Sequence, residues 1–484
     1  YASVTNITAT SEPTENNLLQ EISVGSEGVI KTDGSYIVVV TTTDKVGKTS
    51  EDTYQITIDR DMPTVNITSH GENNEIESLT LISGTASDTG SGVSSSGGTL
   101  VIKQGNIDVY IGTLEINESN GNWNARIPND VFESESRQEG PYEISVTIKD
   151  KVNHSATAKR TVIYDKAVPQ LKVTSPNGNS LVTKTDIQLG GKAWDSYGLK
   201  ESGSVQIVVK DSTGAVKRTY TPAVTVATSE PESDNWTQDI VVGENGLSDG
   251  SYTIEIKAVD KVGKDSTIIK KDLVIDTVIP TVDDYTVPGV DKTEGSNFKF
   301  GGRASDEGTG IEKIEVSFDN GNTWKDAVGT SVWTYTCIFA EESAFESDGE
   351  KTVSIRAIDG AGNVSVIKTK NFVFDRARPE GKIKTSSGTE ITESSVFEAD
   401  KFSLIVEGKD SYQVSKLILK QVTENGEKTV ERIVSGAEVS CVIENLPLRN
   451  DNEPVKTGKY DYTLTVIDKA GKETTVKATI VIDK

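Results

Sequence analysis

Residues Asp249 to Pro280 read DGSYTIEIKAVDKVGKDSTIIKKDLVIDTVIP. Tyr252, Ile254, Ile256 and Ala258 alternate with Thr253, Glu255 and Lys257, the period of a strand with one face buried. Asp260-Lys261-Val262-Gly263 then places Asp first and Gly fourth in a tight turn, the preferences of a type I turn. A second extended run closes on Val274-Ile275-Asp276, with Pro280 just beyond. The stretch reads as a β-hairpin that ends a module, followed by an exit linker.

The same cassette recurs along the chain. Asp33-Gly-Ser-Tyr36 leads to Asp44-Lys-Val-Gly47 and Ile58-Asp59, and Glu139-Gly-Pro-Tyr142 to Asp150-Lys-Val-Asn153 and Tyr164-Asp165. Asp348-Gly-Glu-Lys351 leads to Asp359-Gly-Ala-Gly362 and Phe374-Asp375, and Thr457-Gly-Lys-Tyr460 to Asp468-Lys-Ala-Gly471 and Ile482-Asp483. Successive closing Asp residues lie 106, 111, 99 and 108 positions apart. A period near a hundred residues signals tandem whole domains rather than a solenoid of small units. The expected division is a partial module at 1–60 holding only later strands, then modules at 61–167, 168–278, 279–377 and 378–484. The short first module and the absence of an initiator Met read as a piece of a longer protein.

The 484 residues carry 50 Lys and Arg against 74 Asp and Glu, a formal charge of −24. Such a balance argues against nucleic acid and anionic membrane surfaces as partners and favours cations. No run approaches the roughly 18 apolar residues of a membrane helix, so no membrane insertion is expected in this segment. Cys337 and Cys441 fall in different modules, which excludes a disulfide inside any module.

Helical periodicity is nearly absent. Short Val/Ile/Thr/Tyr runs alternate with Gly, Asn, Asp and Ser clusters, the pattern of an all-β sandwich. Tyr36, Tyr142, Tyr252 and Tyr460 open the penultimate strand and are similar to the tyrosine corner of immunoglobulin-like sandwiches; Lys351 stands there in the fourth copy. The front halves repeat as well, in Leu79–Asp88, Ile187–Asp195, Phe298–Asp306 and Phe402–Asp410, read as strand B and the start of the B–C loop. A Gly-x-Ala-x-Asp strand, a Tyr strand ending in Ala-x-Asp-x-Ala-Gly-Asn (best in Ala357–Asn363) and an apolar-Asp-x-x-x-Pro linker together resemble bacterial immunoglobulin-like (Big-type) tandem repeats. The resemblance implies a tandem array of antiparallel β-sandwiches in an elongated rod, as in the stalks of large surface and secreted adhesins.

Catalysis finds little support. A Ser or Cys nucleophile needs a base, and the chain has only His70 and His154; the chain reads as no enzyme, with no catalytic or cofactor-binding residues. Ser317-Phe-Asp319-Asn-Gly321-Asn-Thr323-Trp324 resembles the Asp box of sialidase propellers, but it occurs once and reads as a hairpin turn covered by Trp324. Trp123, Trp236 and Trp333 recur at one modular position, which favours core packing over sugar stacking.

The sharpest constellation is carboxylate. In an immunoglobulin-like sandwich the B–C and F–G loops sit where the chain enters the domain, beside the preceding module's last strand. The expected sets are Asp59, Asp88 and Asp150; Asp165, Asp195 and Asp260; Asp276, Asp306 and Asp359; and Asp375, Asp410 and Asp468. Clustered carboxylates repel, and a hard cation such as Ca²⁺ resolves the repulsion. Against that stands plain turn capping by Asp, with Lys45, Lys151, Lys261 and Lys469 as neutralising partners. Likeness to adhesin repeats, many of which bind calcium at junctions, strengthens the calcium reading.

The chain therefore reads as a non-catalytic stalk or adhesive segment, extracellular or on a bacterial cell surface. Its expected partners are neighbouring modules of the same longer chain, the host or cell-surface protein or glycan being undefined. A carbohydrate-binding array of an extracellular enzyme and a subunit of an extracellular fibre are the alternatives.

Overall fold

A computed structural model describes residues 21–287, 290–291, 296–398, 401–423, 426–448, 454 and 456–483. The fold is all-β, as expected, with four hydrophobic cores each drawn from one stretch of chain: Ile67 to Tyr164, Leu189 to Ile275, Val282 to Phe374 and Ile383 to Ile482. The first 20 residues of the expected partial module lie outside the described residues.

The stretch from Thr64 to Tyr164 shows the plan. One sheet pairs Thr64–Ile67, Leu81–Ser87, Asn122–Arg126 and Glu115–Ile116 in that order. The other runs Asn74–Ile76, Ser155–Tyr164, Gly140–Lys149, Thr99–Gln104 and Ile107–Thr113. All neighbours are antiparallel except the short Asn74–Ile76, which lies parallel to Ser155–Tyr164. The next two repeats keep this order, the first sheet of the second repeat having three strands rather than four, and include the parallel pairs of Ser180–Thr183 with Asp272–Ile275 and of Val290–Asp291 with Val373–Phe374. In Gly140–Lys149 the inward residues Tyr142, Ile144, Val146 and Ile148 are fully buried while the alternate positions are partly exposed, as period-2 alternation requires.

The last repeat is built differently. One strand, Phe402–Thr423, pairs first with Glu380–Thr385 and then, past a register shift at Lys409–Val414, with Gly458–Asp468. It thus runs as strands B and C without an intervening loop, and Asp410 sits at the shift. Upstream of all four cores, Gly34–Thr43 and Thr49–Ile58 form a two-stranded sheet with Ile37, Val39 and Tyr54 exposed.

Two recurring residues are explained by packing. Strand-B Gly84, Gly191 and Gly302 stand in register with Trp123, Trp236 and Trp333. A Cβ on Gly84 or Gly191 would lie 2.4 or 2.7 Å from the neighbouring indole, so Trp123 and Trp236 each demand their glycine; a Cβ on Gly302 would instead meet Asp284 O at 2.1 Å. All three tryptophans are core residues. The corner tyrosines each donate their hydroxyl to the carbonyl four residues upstream: Tyr36 to Thr32 (2.8 Å), Tyr142 to Gln138 (2.6 Å), Tyr252 to Ser248 (2.8 Å) and Tyr460 to Lys456 (2.8 Å). Tyr142 and Tyr252 are buried, Tyr36 and Tyr460 half-buried. Lys351 is half-buried, and burial pushes its amine below the ordinary lysine range.

Candidate metal centres at the module junctions

The hairpin turns position one carboxylate each. Gly47, Gly263, Gly362 and Gly471 take left-handed backbone in the turn, and Asn153, with φ 76°, takes the same place in the second copy, Asn being among the few residues that tolerate it. The turn Asp spends one oxygen on its own loop: Asp150 Oδ1 accepts from Val152 N and His154 N, and Asp359 Oδ1 from Ala361 N and Asn363 N. Asp260 Oδ1 and Asp468 Oδ1 accept from Lys264 N and Lys472 N at 2.8 Å. Turn capping therefore accounts for Oδ1. The second oxygen of Asp150, Asp260 and Asp468 is buried without a hydrogen-bond donor.

Three of the four turn acids cluster with the other two acids of their expected set. In Asp165–Asp195–Asp260, Asp276–Asp306–Asp359 and Asp375–Asp410–Asp468, one ligand atom from each residue lies within 4.8 Å of the others. The first two members come from the closing strand of one repeat and the B–C segment of the next, so each cluster spans a junction. Asp165, Asp260 and Asp375 are 0% exposed. Both oxygens of Asp165 and of Asp375 are buried without a donor, as are Asp410 Oδ2 and Asp306 Oδ1. Burial, then the charge of Asp195, pushes the Asp165 carboxyl up to about 6; burial, then Asp410 and Asp468, pushes Asp375 up to about 7. Burial likewise raises Asp260 and Asp468.

The first junction departs from the expected set. Asp59 and Asp150 are grouped with His154, and Asp59 also with Asp33 and Asp61. Asp88 stands outside both groups; its Oδ2 accepts from Gly90 N and Gly92 N. Ser91, facing Asp59 with its side chain and amide, holds that carboxyl below its ordinary range.

The expected lysine neutralisers are engaged elsewhere. Lys151 pairs with Glu118 at 3.0 Å, Lys261 with Glu75 at 2.9 Å, and Lys469 lies over the Tyr412 ring; Lys45 is exposed. The junction partner is instead the residue four after the turn Asp. Lys264 and Lys472 donate to the main-chain carbonyls of Asp165 and Asp375, Asn363 to that of Asp276 at 2.9 Å, and His154 Nδ1 lies 2.9 Å from the carbonyl of Asp61. A second unforeseen device is the acid before the Gly of the cassette. Asp33, Glu139, Asp249 and Asp348 accept from the linker amides of Arg60, Lys166, Thr277 and Arg376, fixing the exit path. The recurring Asp/Glu-Gly pair was the available signal.

The Asp-box segment is a self-contained turn. Asp319 accepts from Thr323 N and Thr323 Oγ1, Ser317 Oγ accepts from Gly321 N, and Arg356 stacks 4.1 Å over Trp324. Among the described residues, no helix is long and apolar enough to cross a membrane.

Comparison with known proteins bears on the repeats. Residues 281–376 match the family model described as a bacterial Ig-like domain. No curated protein matches the chain. Among solved structures, the chain is similar to a tetra-tandem repeat from the extending region of a large adhesion protein (18% identity, 87% of this chain and 99% of that one, TM-score 0.35). It is also similar to a structure of a 1.5-MDa bacterial ice-binding adhesin (12%, 65% and 98%, TM-score 0.24) and to fibronectin(III)-like modules of Clostridium thermocellum CbhA (15%, 44% and 94%, TM-score 0.26).

Proposed function

We propose that this chain is a non-catalytic structural or adhesive segment of a bacterial cell-surface or secreted protein, with Ig-like modules at 61–167, 168–278, 279–377 and 378–484 after a partial one at 1–60. Calcium holds the junctions whose acids are buried without hydrogen-bond donors. The observation that supports the ion is that Asp375, Asp410 and Asp468 each keep a buried, donorless oxygen and each offer one carboxylate oxygen within 4.8 Å of the others'. Three carboxylates beside a single ammonium, that of Lys472, are costly in a low-dielectric pocket. A cation with oxygen ligands at about 2.3–2.6 Å fits oxygens separated by up to about 5 Å, and flexible coordination favours Ca²⁺ over the stricter octahedral Mg²⁺. The residues suited to hold it are the closing Asp of one module and the B–C and F–G acids of the next. Bound there, the ion ties two rigid bodies through a linker of a few residues, and the array's work is mechanical: it sets a distal function away from its anchor.

Thermal unfolding of chelator-treated protein tests this reading. The midpoint is expected to rise on adding calcium, with about 2.7 kcal/mol of stabilisation at a hundredfold excess over Kd. An unchanged midpoint at millimolar calcium overturns it.

A further inference from the structure

The four junctions fall into two kinds that alternate along the chain. In the first and third, the B–C loop reads Asp88-Thr-Gly-Ser-Gly92 and Asp306-Glu-Gly-Thr-Gly310; in the second and fourth, the segment opens Asp195-Ser-Tyr197 and Asp410-Ser-Tyr412. The glycine decides the geometry. A Cβ on Gly90 would lie 2.1 Å from an Asp59 carboxylate oxygen, and one on Gly308 would lie 2.2 Å from Asp276 Oδ2. The loop backbone thus presses onto the closing carboxylate and supplies its donors: Ser91 N to Asp59 at 2.7 Å, and Thr309 N and Oγ1 to Asp276 at 2.6 Å. At the third junction Asn363 Nδ2 also donates to Asp359 Oδ2 at 2.9 Å, leaving Asp306 Oδ1 as the donorless oxygen there, on a half-exposed residue. At the first, Asp88 Oδ1 and Asp150 Oδ2 lack hydrogen-bond donors, the latter 2.9 Å from His154 Nδ1.

Where Tyr stands in place of that glycine, no loop amide reaches the closing acid. Both oxygens of Asp165 and of Asp375 are donorless at 0% exposure, and all three acids of each cluster are buried. The residue after the turn is also different in kind. Lys264 and Lys472 give their ammonium to the main-chain carbonyl, with Lys472 Nζ still 3.9 Å from Asp375 Oδ1. Three carboxylates, one ammonium and one divalent cation sum to zero charge, the condition a fully buried cluster demands.

We infer that the Asp-Ser-Tyr junctions at Asp165–Asp195–Asp260 and Asp375–Asp410–Asp468 are the divalent-cation sites, whereas the Asp-x-Gly junctions are closed by hydrogen bonds from the loop to the carboxylates, so that ion-dependent and ion-independent joints alternate. This rests on the ion reading above and specifies which joints it governs.

Calorimetric titration of the stripped full chain with calcium tests the division. Two ions per chain are expected. Asp195→Asn and Asp410→Asn should each remove one, with Asp165→Asn and Asp375→Asn as second variants at the same sites, and Asp306→Asn should leave both; far-UV circular dichroism checks that each variant keeps its sheets. Four ions per chain, or loss of an ion in Asp306→Asn, overturns the division while leaving the ion reading standing. No calcium uptake at all overturns the ion reading itself.

Discussion

Chelator-treated protein is expected to lose stability as pH rises from 5 to 8, the reverse of what acid denaturation of ordinary carboxylates produces. Asp165 is pushed up to about 6 and Asp375 to about 7, chiefly by burial and then by neighbouring aspartates. In the unfolded chain both return to about 3.9. A carboxyl whose folded pKa is raised holds its proton in the native state over a range where the unfolded state has released it. Stability then falls as pH climbs through that range and levels off above about 7. Each such carboxyl contributes a slope of at most about 1.4 kcal/mol per pH unit. Thermal melts at pH 5, 6, 7 and 8 in chelator measure it. With saturating calcium the cation replaces the proton, and the downward trend should vanish or reverse, since ionised carboxylates bind the ion more tightly. Metal-free stability that stays flat or climbs between pH 5 and 8 refutes the placement of these acids in a buried cluster with excess negative charge.

Three further outcomes follow from the packing. Tyr142→Phe removes a buried hydroxyl bonded at 2.6 Å to Gln138 O and should cost about 1 kcal/mol in denaturant unfolding. Gly191→Ala puts a methyl 2.2 Å from Lys172 O and 2.7 Å from the Trp236 ring; about 3 kcal/mol of destabilisation is expected, read as early loss of one module's melting transition. Asn153→Ala forces an alanine into φ 76° and should lower stability by about 1–2 kcal/mol, whereas Asn153→Gly should be tolerated in the same melt.

Much of this architecture was legible because its signals are local. The alternation around Tyr252 and the Asp260…Gly263 turn lie within a dozen residues, and the corner tyrosines bond only four residues upstream. The carboxylate clusters could be foreseen once the sandwich placed the B–C and F–G loops beside the incoming strand, and three of the four expected sets converge in space. Asp88 stays apart although its Asp-x-Gly-x-Gly loop matches that of Asp306, which does join its cluster, a difference of local placement that spacing does not reveal. The neutralising position was misplaced for a related reason: Lys264 and Lys472 meet carbonyls 99 and 97 residues away, whereas the turn lysines Lys151 and Lys261 reach out to Glu118 and Glu75. In the last repeat, Phe402–Asp410 carries the strand-B pattern, yet no glycine or proline stands between Asp410 and Thr423, and one strand runs through the positions of B and C.

The central claim is that bound cations stiffen joints between intact sandwiches. Small-angle X-ray scattering of the full chain, with calcium and then with excess chelator, tests it most directly. The account predicts that the maximum dimension shortens or the distance distribution broadens on chelation while far-UV circular dichroism remains that of a β protein. Superimposable scattering curves in the two conditions would contradict it, and leave the aspartates as turn caps.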